Sequence, residues 1–158
     1  MQARHIKTEV RELIEDYVHV LDDEKYEQWP DLFTERCAYR VVTRQALGLG
    51  YPAGLITCNS RGMLQDRVNS LRKANIYEPH RYRHLLGPTR MLGADAEGRQ
   101  RARTGFAVLR IMQDGQTDLF LSGIYEDLVE LAPEGPRFVE RIVALDSSKV
   151  DTLIVLPV

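Results

Sequence analysis

The chain has few cysteines, no long apolar run and no surplus of either charge, and each absence closes off a class of protein. Only Cys37 and Cys58 occur in 158 residues. They are not spaced as a pair motif, so they read as reduced thiols of a cytoplasmic protein. Two thiols also cannot supply four thiolates to an iron–sulfur cluster. No stretch approaches the roughly 18 uninterrupted apolar residues of a membrane span. The opening MQARHIKTEVREL carries charge without an apolar signal core, so neither a membrane nor export is expected. A net charge of −2 and a pI near 6.1 leave no basic excess to neutralise phosphates, which argues against a nucleic-acid partner. Gly48-Leu-Gly50 and Gly54 form neither a GxGxxG nor a P-loop, and Ser60-Arg-Gly62 is no nucleophile elbow.

What is present suits one globular domain over residues 1–158, with 44% hydrophobic and 28% charged residues and enough length for a real core. Thr8 to Asp23 reads as an amphipathic helix. Val10, Leu13, Ile14, Tyr17, Val18 and Leu21 recur at three- and four-residue steps, and Thr8 is the expected N-cap. Asp22 or Asp23 is expected to cap a second, shorter helix carrying Tyr26, Trp29, Leu32 and Phe33, which Pro30 limits. Cys37 to Thr43 looks like a strand, Gly48 to Gly54 a loop, and Ser60 to Ala74 a helix capped by Ser60 or Asn59.

Beyond Pro79 the pattern is all strand: His80 to Leu92, Arg99 to Met112, Thr117 to Leu131 and Phe138 to Leu145, with Thr152 to Val155 extending the last. Asp114-Gly115, taken as a two-residue hairpin loop, sets Arg103 opposite Glu126 and Phe106 opposite Gly123. Helices first and strands afterwards, without βα alternation, predict an α+β fold. The simplest packing lays N-terminal helices across the concave face of a strongly curved, mainly antiparallel sheet.

His80 and His84 are the chemical candidates. On a helix they would share one face and could begin a metal site. Read as a strand, Pro79-His-Arg-Tyr-Arg-His84 places His80, Tyr82 and His84 on one face and Arg81 and Arg83 on the other, with the histidines roughly 13 Å apart, too far to share an ion. Arginine and tyrosine are residues that interfaces favour, so Tyr77, His80, Arg81, Tyr82, Arg83 and His84 form a candidate subunit contact, together with Asn75 to Pro79 and the later strands. The chemical rival is acid–base work by His80 or His84 with Asp22 or Asp127, assisted by Tyr26 or Tyr39. A third reading is an apolar cone that holds a small ligand.

Several segments taken together carry a resemblance. Glu27-Gln-Trp-Pro-Asp-Leu-Phe-Thr34, Cys37-Ala-Tyr-Arg-Val41, Met63-Leu-Gln-Asp-Arg67, Ala74-Asn-Ile-Tyr-Glu78, Arg81-Tyr-Arg-His84 and Asp146-Ser147 occur in this order. From about residue 10 onward the chain resembles the small (beta) subunits of aromatic-ring-hydroxylating Rieske dioxygenases. That resemblance implies an NTF2-like, cystatin-like cone similar to scytalone dehydratase. It implies a large (alpha) subunit partner in a three-plus-three hexamer with a trimer of small subunits, served indirectly by a reductase or ferredoxin. The Rieske [2Fe-2S] cluster and the mononuclear non-heme iron would belong to the large subunit. The implied substrate is an aromatic carboxylate, terephthalate first, with salicylate or anthranilate as alternatives. No catalytic, cofactor-binding or metal-ligating residue carries over to this chain. The same cone also houses dehydratases and isomerases with a buried His–Asp pair, which keeps the acid–base rival open.

Overall fold

The computed structural model describes residues 1–51, 54–73, 77–150 and 154–158. Helix α1 (Gln2–Asp22) buries the anticipated stripe, Val10, Leu13, Ile14, Tyr17, Val18 and Leu21. It starts a turn and a half before Thr8, whose hydroxyl instead donates to the Arg4 carbonyl from within the helix. It stops in a Schellman motif: Glu24 N–H donates to Leu21 O and Lys25 N–H to Val20 O. Glu24 takes the left-handed position at φ 58°, where glycine is usual. The expected second helix is two short 3-10 turns, Tyr26–Gln28 and Pro30–Leu32, neither capped by a side chain. Pro30 opens the second turn because it has no N–H to give the first.

Strand β1 (Phe33–Thr43) leads into a five-residue helix, α2 (Arg44–Gly48), which was unforeseen and ends where the expected Gly48 to Gly54 loop begins. Thr43 caps it, its hydroxyl accepting from Ala46 N–H at 3.0 Å. Strand β2 (Ile56–Cys58), likewise without a counterpart in the sequence reading, is only three residues long. Helix α3 (Arg61–Lys73) is capped as expected by Ser60, whose Oγ accepts from Met63 N–H. Strands β3 (His80–Ala94), β4 (Gln100–Met112), β5 (Thr117–Ala132) and β6 (Gly135–Leu145) follow. Ala74, Pro52, Ala53, Asn75 and Ile76 lie outside the described residues, as do Thr152 and Leu153 of the expected strand extension. Ile154 and Val155 are not strand; they run into the interior.

The sheet order is β2-β1-β6-β5-β4-β3, with β1 and β6 parallel and every other pair antiparallel. Register shifts interrupt four of these pairings, and each inserted residue bends and twists its strand, which closes the sheet into a cone. The expected pairs Arg103↔Glu126 and Phe106↔Gly123 are present, and Arg103 Nε meets Glu126 Oε1 at 3.0 Å. The route to that register differs from the expectation. The β4–β5 loop has three residues, Gln113-Asp114-Gly115, with Gly115 at φ 90°, and a shift between Val108 and Leu109 then absorbs one residue.

Candidate functional site

The inner face of β3 carries the histidines. Tyr77, His80, Tyr82 and His84 form a chain of rings with centroids 5.4, 5.3 and 6.4 Å apart, and Tyr82 also meets Phe120 at 5.5 Å. Tyr82 and His84 are each only 5% exposed. The other face presents Arg81, Arg83 and Leu85 to solvent. The proposed contact strand therefore divides in two. Tyr82 and His84 belong to this chain's own core, Tyr77 and His80 sit half-buried, and Arg81 and Arg83 are exposed. Both arginines already lean on acids of this chain, Glu24 at 3.2 Å and Asp22 at 3.6 Å.

Of the acid–base candidates, the fold joins one pair. Asp22, the last residue of α1, accepts from the His84 backbone N–H at 2.9 Å and from His84 Nδ1 at 2.6 Å. A carboxylate only accepts, so Nδ1 carries the proton and Nε2 is left as the free nitrogen. Nε2 is buried and has no hydrogen-bond partner among the described residues. A histidine held this way is the raw material of a general base. The other named residues go elsewhere. His80 Nδ1 donates to the Glu78 carbonyl at 2.8 Å, Tyr26 lies under Arg72, and Tyr39 and Asp127 serve the interior.

That interior is occupied by the chain itself. Ile154, Leu156 and Val158 are buried, and the Arg67 guanidinium donates to Ile154 O. The Tyr17 and Tyr39 hydroxyls converge on Val158 O at 2.7 and 2.9 Å, and Val158 N–H donates back to the Tyr39 oxygen. Burial pushes the Tyr39 phenol well above its usual range, so it stays a neutral donor. Ile154, Leu156 and Val158 and aromatic rings thus take part of the space between helices and sheet.

One buried pair escaped the sequence reading. Arg141, fully buried, grips Asp127 with Nε and Nη2, both at 2.8 Å, and its guanidinium lies 4.1, 3.8 and 4.2 Å from the rings of Tyr17, Tyr125 and Phe138. Burial works against the Arg141 charge, but Asp127 outweighs it and the pKa is raised. Among the described residues no three His, Cys, Asp or Glu side chains gather into a metal-binding group.

The ring hydroxylating beta subunit family matches residues 17–152. Over 141 residues the chain is 44% identical to the beta 1 subunit of the terminal oxygenase component of terephthalate 1,2-dioxygenase from Comamonas sp., covering 89% of this chain and 91% of that one. It is 37% identical to the anthranilate 1,2-dioxygenase small subunit of Burkholderia cepacia, covering 90% and 88%. A crystal structure of the beta subunit of a candidate aromatic-ring-hydroxylating dioxygenase from Novosphingobium aromaticivorans superposes with a TM-score of 0.90 at 31% identity, over 100% of both chains. The fold is the NTF2-like, cystatin-like cone. Sequence match and superposition agree along nearly the whole length: the chain belongs to the family of ring-hydroxylating dioxygenase beta subunits.

Proposed function

We propose that this chain is the structural beta subunit of a cytoplasmic Rieske-type terminal oxygenase whose substrate is an aromatic carboxylate, terephthalate in first place. The observation that carries the substrate class is the 44% identity to a terephthalate dioxygenase subunit, with an anthranilate dioxygenase subunit at 37%. Both named substrates are aromatic carboxylates. The Rieske cluster and the mononuclear iron belong to a large subunit, which performs the chemistry. This chain contributes a cone whose surface organises three large subunits around a trimer of small ones.

Co-expression with a Rieske large subunit from the same genome tests this reading. The expected product is a complex with the mass of three large and three small chains by native mass spectrometry. With a reductase or ferredoxin supplied, it should convert terephthalate faster than anthranilate or salicylate. A chain that stays monomeric and ignores the Rieske subunit overturns the reading. A large subunit that works at full rate without it does the same.

A further inference from the structure

At the end of the sheet bounded by the β3–β4 and β5–β6 turns lies a groove of about 470 Å³ lined by Arg36, Arg61, Arg99 and Arg137 together with Glu35 and Glu130. Gathering four guanidiniums in one place is costly in a chain whose net charge is −2. Elsewhere this fold tends to pair its arginines: Arg11 with Glu15, Arg44 with Asp146, Arg72 with Glu27 and Arg103 with Glu126. In the groove, two are similarly committed. Arg61 donates to Phe33 O and pairs with Glu35, and Arg99 pairs with Asp95 and Glu97. Arg36 and Arg137 have no ion pair among the described residues. Glu130 stands opposite Arg137 in the strand register without closing on it.

We propose that this groove seats an acidic segment of the large oxygenase subunit, its carboxylates docking on Arg36 and Arg137; the proposal rests on the family reading for the identity of the partner. The chemistry follows from the guanidinium, a planar fork that matches a carboxylate through paired N–H donors. The size of the groove fits several side chains rather than one small oxyanion. Val139 supplies an apolar patch in its lining, and Glu35 and Glu130 repel a partner that enters in the wrong register. The same two carboxylates oppose a polyphosphate backbone, which needs an uninterrupted basic track.

The test uses the full chain and the variant carrying Arg36→Glu with Arg137→Glu. Arg36 is exposed and Arg137 half-buried, so the fold should persist. Arg36→Gln with Arg137→Gln serves if the reversal unfolds the chain. A fluorescent octaglutamate peptide, followed by anisotropy at low salt, should bind the native chain with an affinity that falls as salt rises. The double variant should bind it about tenfold more weakly or worse, and complex formation with the large subunit should weaken by a similar factor. Arg90→Glu, an exposed arginine on β3, should leave both unchanged.

Peptide binding that survives the double reversal overturns the proposal. So does complete displacement by sulfate at equal charge, which would mark a small-oxyanion site, or tighter binding of duplex DNA than of the peptide. A large-subunit complex that forms equally well with the double variant overturns the groove assignment and leaves the function reading standing. Failure of the native chain to form any such complex removes the function reading first and this proposal with it.

Discussion

Replacing Asp127 by Asn removes the one ion-pair partner, among the described residues, of a guanidinium packed among three rings, and its cost can be worked from the structure. Two charge-assisted hydrogen bonds at 2.8 Å join the pair, and neither side chain has any exposed surface. At a charge separation of about 4 Å and an effective dielectric near 20, the lost attraction is about 4 kcal/mol. Breaking a buried pair from one side costs about 3–5 kcal/mol in general, because the remaining charge stays desolvated. The two figures agree. For a domain of this size they correspond to a fall in Tm on the order of 10 °C. Urea unfolding followed by the fluorescence of Trp29 reads it directly, since that single tryptophan is fully buried against Phe33 and Tyr39. The midpoint should drop with m unchanged. Asp127→Leu combined with Arg141→Met should recover most of the loss, because removing both charges removes the desolvation problem. A single substitution that costs under about 1 kcal/mol would refute the argument, by showing that Arg141 is compensated some other way.

Glu24→Gly should stabilise the chain by about 0.5–1 kcal/mol, measured by urea midpoint, because Glu24 holds φ 58° and loses only an exposed pair with Arg81. Gly123→Ala should destabilise by about 3 kcal/mol or more, since its Cβ would stand 2.2 Å from the Ala144 carbonyl oxygen, which is backbone and cannot step aside. Tyr39→Phe should cost about 1–2 kcal/mol and speed hydrogen exchange at the Val158 amide, because one hydroxyl both donates to and accepts from that residue. Burial pushes the Cys37 thiol up to about 11, so in the folded chain it should resist iodoacetamide at pH 8 and react on unfolding. The folded state holds this proton more tightly than the unfolded one. The stability it contributes is therefore full below the unfolded thiol pKa and is lost as pH climbs towards 11.

Local periodicity reveals most of the frame and little of what the irregularities do. The stripe from Val10 to Leu21 is legible because a helix repeats its buried face in sequence. The short elements are not: α2 rests on the Thr43 cap, and β2 is a three-residue ladder made by its neighbour β1. The β4–β5 register was anticipated correctly by two departures that cancel, a three-residue loop and one inserted residue. The β5–β6 hairpin had no such cancellation. Its tight turn pairs Ala132 with Gly135, and extending that count would set Asp127 opposite Glu140. A shift between Leu128 and Val129 moves Asp127 opposite Arg141 instead, and that bulge leaves no mark in the sequence. Gly123 has a similar lesson. The sequence sets it under Phe106, whereas the sharper demand comes from the other side, where the β6 backbone leaves no room for a Cβ.

The His84–Asp22 pair has a structural use that accounts for it without chemistry. β3 is an edge strand, so its outward backbone groups lack a neighbouring strand. α1 supplies the missing partners at two points: Asp22 takes the His84 N–H, and Arg11 Nη1 donates to Gly87 O at 2.7 Å and to the Thr89 hydroxyl at 2.8 Å. The helix thus clips the open edge with one side chain near its end and another near its middle. The imidazole contact is the second arm of the Asp22 clip, fixing the ring where Tyr82 packs on it. A general base needs the same tautomer but also a substrate-sized space at its free nitrogen. Here Nε2 is buried, and the relatives of the chain are oxygenase beta subunits rather than lyases. The geometry that would orient a catalytic histidine instead fastens a helix to a sheet edge, and it leaves the outer face of β3, with Arg81 and Arg83, on the surface.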